Sequence, residues 1–449
     1  MVGDKHNHRK DAECQICKNK IPFEIPEEII EAIGKEDLVI FAGSGISSEN
    51  KMVFPWSFYE DIHSELQLDD NDKPSFSKLM LKYCEQKNGR RKLLNKIKER
   101  LDYIENFPEL YLRASEFHKE ISTIHNVKEI ITTNWDDLFE RECGANPIVI
   151  PEDFIFWQNP GRKVLKIHGS INNYGSIVAT EEDYQQCHEK LRDSILGSYL
   201  KTLLATKTVL FVGYSFGDED FNKIYNFLKS EMKGLSPHSF LVTLDKEAKK
   251  KFDSSEITVI RTDATFFVEE IKKYLVKNEQ MISDNHFLSI PEALNFLNSV
   301  HIQLTESFSV SDFPSIIYTA SYQDGLKHAL ERFLSRFKTG EYSKKENIGC
   351  MICHYNDTIE EKRKDKLFHD VAYFIGYRNG LIFLLEGERA KDLPVYYILE
   401  TDKICSNLKE YTNLIKSKKE DNEYSTYLKN LIERKGLGGK LVLHHTPFG

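Results

Sequence analysis

No stretch of the 449-residue chain runs through 18 apolar residues, so no segment reads as a transmembrane helix. The opening MVGDKHNHRKDAECQICKNK has no apolar core of a secretory signal, and a cytoplasmic location is expected. Basic charge is not in excess either. Lys and Arg number 61 against 70 Asp and Glu, a net charge of -9, which argues against a general nucleic-acid coat. Cysteine is too sparse for a disulfide scaffold, since eight in a chain this long read as thiols. Cys14 and Cys17, near His6 and His8, form a CxxC with no second CxxC at zinc-ribbon distance. They are weak metal candidates, and no bound zinc is expected. Cys350, Cys353 and His354 spell a haem-attachment pattern, but IGCMICHY reads as a buried strand and no haem is expected.

What is present is an ordinary globular composition, 40% apolar and 29% charged, on a chain long enough for two domains. IPEEIIEAIGKEDLVIFAGSGISSEN reads as helix, strand and a Gly-rich turn. Residues 54–126 read as a helical insertion, including the basic run at 87–101, whose Leu93, Ile97 and Leu101 fall at helical spacing. That run is a solvated amphipathic helix or a phosphate- or partner-binding surface. VKEIITTN, NPIVI, KVLKIHG, TVLFVGYSF, HSFLVTL and EITVIRT then read as strands, with helical patterns such as DFNKIYNFLKSEM between them. Strands alternating with helices predict an α/β fold, a Rossmann-like doubly wound parallel sheet. We divide the chain into a tail at 1–22, this domain at 23–282, and a second, smaller α/β domain at 290–449. The last is read from SIIYTAS, IGCMICHY, GLIFLLEG, VYYILET and KLVLHH as strands.

Four strand ends carry small polar groups. In FAGSGISSEN, Gly43 and Gly45 permit a tight turn and close approach of a pyrophosphate to a helix N-terminus; the competing reading is a turn capped by Ser47 or Ser48. In IITTNWDDLFERE, Asn134 suits a ribose hydroxyl or water, and Asp136 an amide or ribose, unless an aspartate merely caps the next helix. In KVLKIHGSINN, His168 has the ordinary affinity of a general base near neutrality, with Gly169 leaving room for a ligand, although such a histidine also serves as a structural group. In VLFVGYSFGDEDF, Gly213 and Ser215 follow a strand, and Ser215 or Asp218 suits phosphate or ribose, or a helix cap. In a sheet of this kind, all four converge on one crevice.

Together, GSGIS, TTNWD, KIHG and FVGYSFGDED resemble the sirtuin superfamily, particularly its bacterial antiphage, Thoeris-type branch, over about residues 25–280. The resemblance implies that Gly43, Ser44, Gly45, Ser47, Thr133, Gly169, Gly213, Ser215 and Asp218 contact NAD+. It implies that Asn134, Asp136 and His168 are catalytic, leaving Asp137 as the helix cap. Only Cys187 lies between His168 and Gly213, so the zinc module of protein-deacylating sirtuins is absent, and an acyl-lysine substrate is disfavoured. The implied function is a regulated NAD+ glycohydrolase that depletes NAD+ in abortive infection, with no cofactor beyond NAD+ as substrate. The alternatives are an idle NAD or ADP-ribose sensor and, below it, a deacylase. The C-terminal domain is expected to receive the trigger, a nucleotide messenger or a protein partner, with Arg378, Glu386, Glu388 and Arg389 as candidate contacts or plain surface ion pairs. Self-association is expected, and a membrane partner is not.

Overall fold

The computed structural model describes residues 15–69, 71–214, 237–252, 257–417, 422–437 and 444–447. The chain divides into two compact units, Met1–Tyr274 and Leu275–Gly449.

In the first unit, β1 (Leu38–Ala42), β2 (Glu129–Thr132), β3 (Asn146–Ile148), β4 (Lys163–Lys166), β5 (Thr208–Val212), β6 (Ser239–Thr243) and β7 (Ile257–Arg261) form one sheet. Their order is β3-β4-β2-β1-β5-β6-β7, and every pairing is parallel. LVIFA of β1 is buried at all five positions, as a strand covered on both faces by helices must be. The chain builds outward from β1 through β2 to β4 and β3, then returns to place β5 on the other side of β1. The crevice of an open α/β sheet opens at this reversal, beyond the strands' carboxyl ends.

Between β1 and β2 the expected helical insertion is present: Phe58–Glu65, Phe76–Cys84, α1 (Gly89–Asn106) and α2 (Pro108–Ser122). α1 buries Gly89, Leu93, Ile97 and Ile104 along one stripe and turns Arg91, Lys92 and Lys98 outward, the amphipathic outcome. A short helix, α3 (Leu138–Cys143), follows β2 and stops at Gly144, whose φ of 57° is left-handed. The Arg162 guanidinium is buried just before β4 and donates to Val127 O, Cys143 O, Ser122 O and Ile124 O at 2.7–3.2 Å. It thereby supplies donors to carbonyls at the C-terminal ends of α2 and α3, where no backbone partner exists.

The second unit overturns the expectation of a smaller α/β domain. SIIYTAS, IGCMICHY and GLIFLLEG lie in helices: α5 (Ile316–Arg336), α6 (Lys345–Lys364) and α7 (Phe368–Glu386), preceded by α4 (Ile290–Ser307). Of the five predicted strands, VYYILET contributes a real one, β8 (Tyr396–Ile398), which pairs antiparallel with β9 (Lys403–Cys405). In KLVLHH, His444 and His445 are described and form no strand; the rest lies outside the described residues. The misreading has a physical cause. α5 and α7 are buried almost all round, so the contrast between apolar and polar faces that marks a helix is lost. Glycine also interrupts both. A Cβ on Gly325 would fall 2.0 Å from Tyr373 O, and one on Gly376 1.9 Å from Tyr322 O, so these glycines let two helix backbones touch. Cys350 and Cys353 are exposed on α6 rather than buried in a strand.

Candidate active site

Gly43 follows β1 and precedes a 3-10 turn at Ser44–Ile46. Gly43 N donates to Val212 O at 2.9 Å and Gly45 N to Gly213 O at 3.1 Å. A Cβ on either Gly43 or Gly45 would lie 2.8 Å from Gly213 O, and Gly213 itself has φ +74°. The glycines thus let the β1 and β5 loops close on each other, a packing demand that comes before any approach of a ligand.

A chain of hydrogen bonds runs across this seam. Thr132 Oγ1 donates to Ala42 O at 2.9 Å and accepts from Asn134 N at 3.0 Å. Ser47, fully buried, donates through Oγ to Asp136 Oδ2 at 2.8 Å. The Ser47 proton being so committed, its lone pairs face Asn134 Nδ2 at 3.3 Å, and the same amide nitrogen reaches Gly43 O at 3.2 Å. Both amide protons are therefore taken up, which orients the other end. Asn134 Oδ1 is buried with no hydrogen-bond partner among the described residues.

Asn134 is one of the residues lining a cavity of about 400 Å³, with Ser44, Ser48, Glu49, Phe58, Tyr59, Pro74, Ser75, Phe76, Thr133, Trp135, His168 and Tyr184. The volume is in the range of small-ligand sites. His168, two residues past β4, is buried and meets Tyr184 edge to face, with ring centroids 4.9 Å apart. Gly169 has φ +82°, and a Cβ there would fall 2.1 Å from Ser176 O, so it serves the turn behind His168. Thr133 Oγ1 lies 3.2 Å from Tyr214 OH.

Of the predicted residues, the structure therefore brings Ser44, Thr133, Asn134 and His168 to one cavity, with Gly43, Gly45, Ser47 and Gly213 immediately beneath. Ser215, Asp218 and the helical pattern DFNKIYNFLKSEM lie outside the described residues, as does Cys14. Asp136 needs correction. Its carboxylate does not line the large cavity; Oδ2 takes the Ser47 hydroxyl and Oδ1 the Leu138 N-H at 3.3 Å, and it borders a second, 220 Å³ cavity. A carboxylate this buried has to be supplied with donors. Asp137 is corrected too, since it occupies the N-cap position but makes no capping bond. It pairs with Arg141 at 2.8 Å and accepts from Asn172 Nδ2 at 3.3 Å.

Several residues at the site escaped sequence reasoning. Lys166 Nζ, buried, bonds Asp136 O and lies 3.1 Å from Glu140 Oε1; burial raises the Glu140 carboxyl above its ordinary range, against the pull of Lys166. Glu49 is likewise raised by burial, although Arg100 sits 3.1 Å away. Arg100 also packs over Phe54 at 4.0 Å and donates to Ser48 O at 3.3 Å, tying the Gly-rich loop to α1. Trp135 meets Phe58 and Phe76 with ring centroids 6.2 Å apart in each case, giving one wall of the cavity aromatic faces. The signal for Arg100 lay in the basic run, but nothing in the sequence told it from its solvated neighbours.

Residues 128–261 match the SIR2-like domain family. The chain is 31% identical over 271 residues to the protein named NAD(+) hydrolase ThsA of Enterococcus faecium, covering 58% of this chain and 52% of that one. It is 30% identical over 209 residues to the protein of the same name from Cytobacillus dafuensis, covering 45% and 40%. With Defense-associated sirtuin 2 of Bacillus subtilis it shares 23% identity over 229 residues, covering 49% and 22%. The chain thus spans about half, or less, of the length of these relatives. Residues 128–261, which match the SIR2-like domain, lie within the first unit and carry β2 to β7 of its sheet.

Proposed function

We propose that this chain is an NAD+ glycohydrolase of antiphage defence, cleaving NAD+ to nicotinamide and ADP-ribose in the cavity of the first unit. The observation that carries the reading is a cavity lined by both Asn134 and His168, with the Asn134 amide nitrogen held by Gly43 and Ser47 and its Oδ1 buried without a hydrogen-bond partner among the described residues. An unmatched buried carbonyl costs about 1–3 kcal/mol, and a ribose hydroxyl or the attacking water would match it. The names of the relatives agree with NAD+ as substrate.

The nicotinamide C-N bond breaks with its electron pair passing to the cationic pyridinium ring, which leaves neutral, while positive charge builds on the ribose. Water adds to that ribose carbon and gives up a proton. His168 is assigned as the base that receives the proton, or as a partner of a ribose hydroxyl, and Asn134 as the group that positions water or ribose. Asp136 is reassigned from substrate contact to a positioning residue that fixes Ser47 and, through it, the Asn134 amide. The aromatic wall of Phe58, Phe76 and Trp135 offers flat faces to a ring of the substrate. The trigger is assigned to the second unit on the resemblance alone. Its former candidates are occupied in part, with Arg389 paired to Asp392 at 2.8 Å and Arg378 donating to Asn356 Oδ1 at 3.1 Å.

Purified protein incubated with NAD+, with and without lysate of infected cells, is expected to release nicotinamide in the absence of any acyl peptide. His168→Ala and Asn134→Ala, checked by melting curve, should each lower the rate about 10²-fold or more. Folded variants that keep the wild-type rate would refute the site, peptide-dependent release would indicate deacylation, and binding without turnover would indicate a sensor.

A further inference from the structure

The second unit gathers histidines and aspartates around the N-terminal turn of α7 in a way the NAD+ reading does not use. Asp370 Oδ1 lies 2.8 Å from His445 Nε2 and 3.3 Å from His369 Nε2. One ligand atom from each of the three residues falls within 4.8 Å of the others. Their side chains are 13%, 5% and 20% exposed in the order Asp370, His445 and His369, so the group is sheltered yet open to an ion. Ligands about 2.0–2.1 Å from a tetrahedral zinc lie roughly 3.3 Å apart, which is the 3.3 Å His369–Asp370 spacing, while the 2.8 Å His445–Asp370 spacing has to open by about half an ångström to admit an ion.

We propose that His369, Asp370 and His445 form a binding site for a divalent transition-metal ion of the zinc class, which ties residues 444–447 to the start of α7.

The surrounding contacts are those a metal site requires. The second nitrogen of each imidazole is already engaged: His369 Nδ1 lies 2.5 Å from Tyr427 OH, and His445 Nδ1 lies 3.0 Å from Thr446 O. Such outer partners fix the ring and leave Nε2 to the metal. The His445 ring stacks on Tyr373, with centroids 4.3 Å apart and planes at 24°. Its backbone N donates to Asp324 Oδ2 at 2.7 Å, while His444 Nδ1 sits 3.1 Å from Asp324 Oδ1. The ligand from the C-terminal segment is thus placed before any ion arrives.

The donor set chooses the ion. Two imidazoles argue against Mg2+ and Ca2+, which take oxygen, and the absence of sulfur from the set argues against Cu+. Three protein ligands leave a fourth position for water. The alternative is a set of plain His-Asp hydrogen bonds with no ion, and the experiment separates the two.

Both CxxC pairs can capture zinc on their own, so the test uses full-length protein with Cys14, Cys17, Cys350 and Cys353 replaced by serine. After chelation and dialysis, zinc titration by calorimetry is expected to show one equivalent bound. Asp370→Asn and His445→Ala in that background should weaken binding about tenfold or more, while His354→Ala, on exposed α6, leaves it unchanged. Cobalt(II) added to the same parent protein should develop visible bands of tetrahedral or five-coordinate geometry, a readout needing no site variant. Absence of zinc binding in the parent, an unaltered aqueous cobalt spectrum, or Asp370→Asn and His445→Ala binding as tightly as the parent would each overturn the proposal.

Discussion

The two units place buried polarity differently. In the second, three side chains of α5 bond the backbone of one neighbouring strip, Thr319 Oγ1 to Tyr397 O at 3.0 Å, Gln323 Nε2 to Val395 O at 3.0 Å, and Tyr322 OH to Pro394 O at 2.7 Å, while Ser321 Oγ beside them is buried without a hydrogen-bond partner among the described residues. These bonds fasten the strip before and within β8 onto α5. In the first, polar side chains collect at strand ends, and the relay from Asp136 through Ser47 ends at Asn134, a residue of the cavity lining whose carbonyl oxygen is buried without a hydrogen-bond partner among the described residues. A closed set of bonds stabilises a fold, whereas a relay with one open end prepares a site for a ligand.

This contrast can be broken in graded steps. The largest effect is expected from the close glycines. Gly376→Ala, with its Cβ 1.9 Å from Tyr322 O, and Gly213→Ala, with left-handed φ and a Cβ 2.5 Å from Gly43 O, should each cost about 3 kcal/mol or more. Chemical denaturation checks both. Gly213→Ala should in addition abolish nicotinamide release.

Next comes acid sensitivity. His118 in the first unit is fully buried, and burial brings its pKa to about 4, against the pull of Asp136 and Glu142. A folded pKa below the unfolded value near 6.5 means that its contribution is present above pH 6.5 and lost as pH falls toward 4. The loss is on the order of 3 kcal/mol. His118→Leu should flatten stability over that window; an unchanged slope would place the acid sensitivity elsewhere.

A smaller effect is expected at the relay. Asp136→Asn weakens the acceptor that fixes Ser47, and kcat should fall about tenfold to a hundredfold with little change in KM. An effect on KM alone would mean that the carboxylate touches substrate after all. Smallest is Asp137→Asn, which removes a partly exposed pair with Arg141 and should cost under about 1 kcal/mol in thermal melts.

Legibility differed between the units for physical reasons. Short, almost wholly apolar strands such as LVIFA and TVLFV, each followed by Gly, announce a parallel sheet and its ligand edge. The same signal misleads at GLIFLLEG, because a helix buried on every side is as uniformly apolar as a central strand. At the site, residue types at strand ends named Asn134 and His168. That Asp136 bonds Ser47 and the Leu138 N-H while Asp137 pairs with Arg141 and Asn172 was not legible, since both are buried and only their tertiary partners tell them apart. Arg100 and Glu49 were missed because their pairing crosses from the Gly-rich loop to α1.

The seam between Gly43 and Gly213 also sets a timetable. Tyr214 OH closes onto Ala42 O across 172 positions of chain, and β5 cannot join β1 until nearly half of the protein has been synthesised. Contacts of such sequence separation form late in folding. The seam beneath the cavity is consequently completed only after the helical insertion and the β2-β4-β3 half are made, and a nascent or truncated chain ending before β5 lacks the Gly213 and Tyr214 contacts that hold the Gly43 and Thr133 loops.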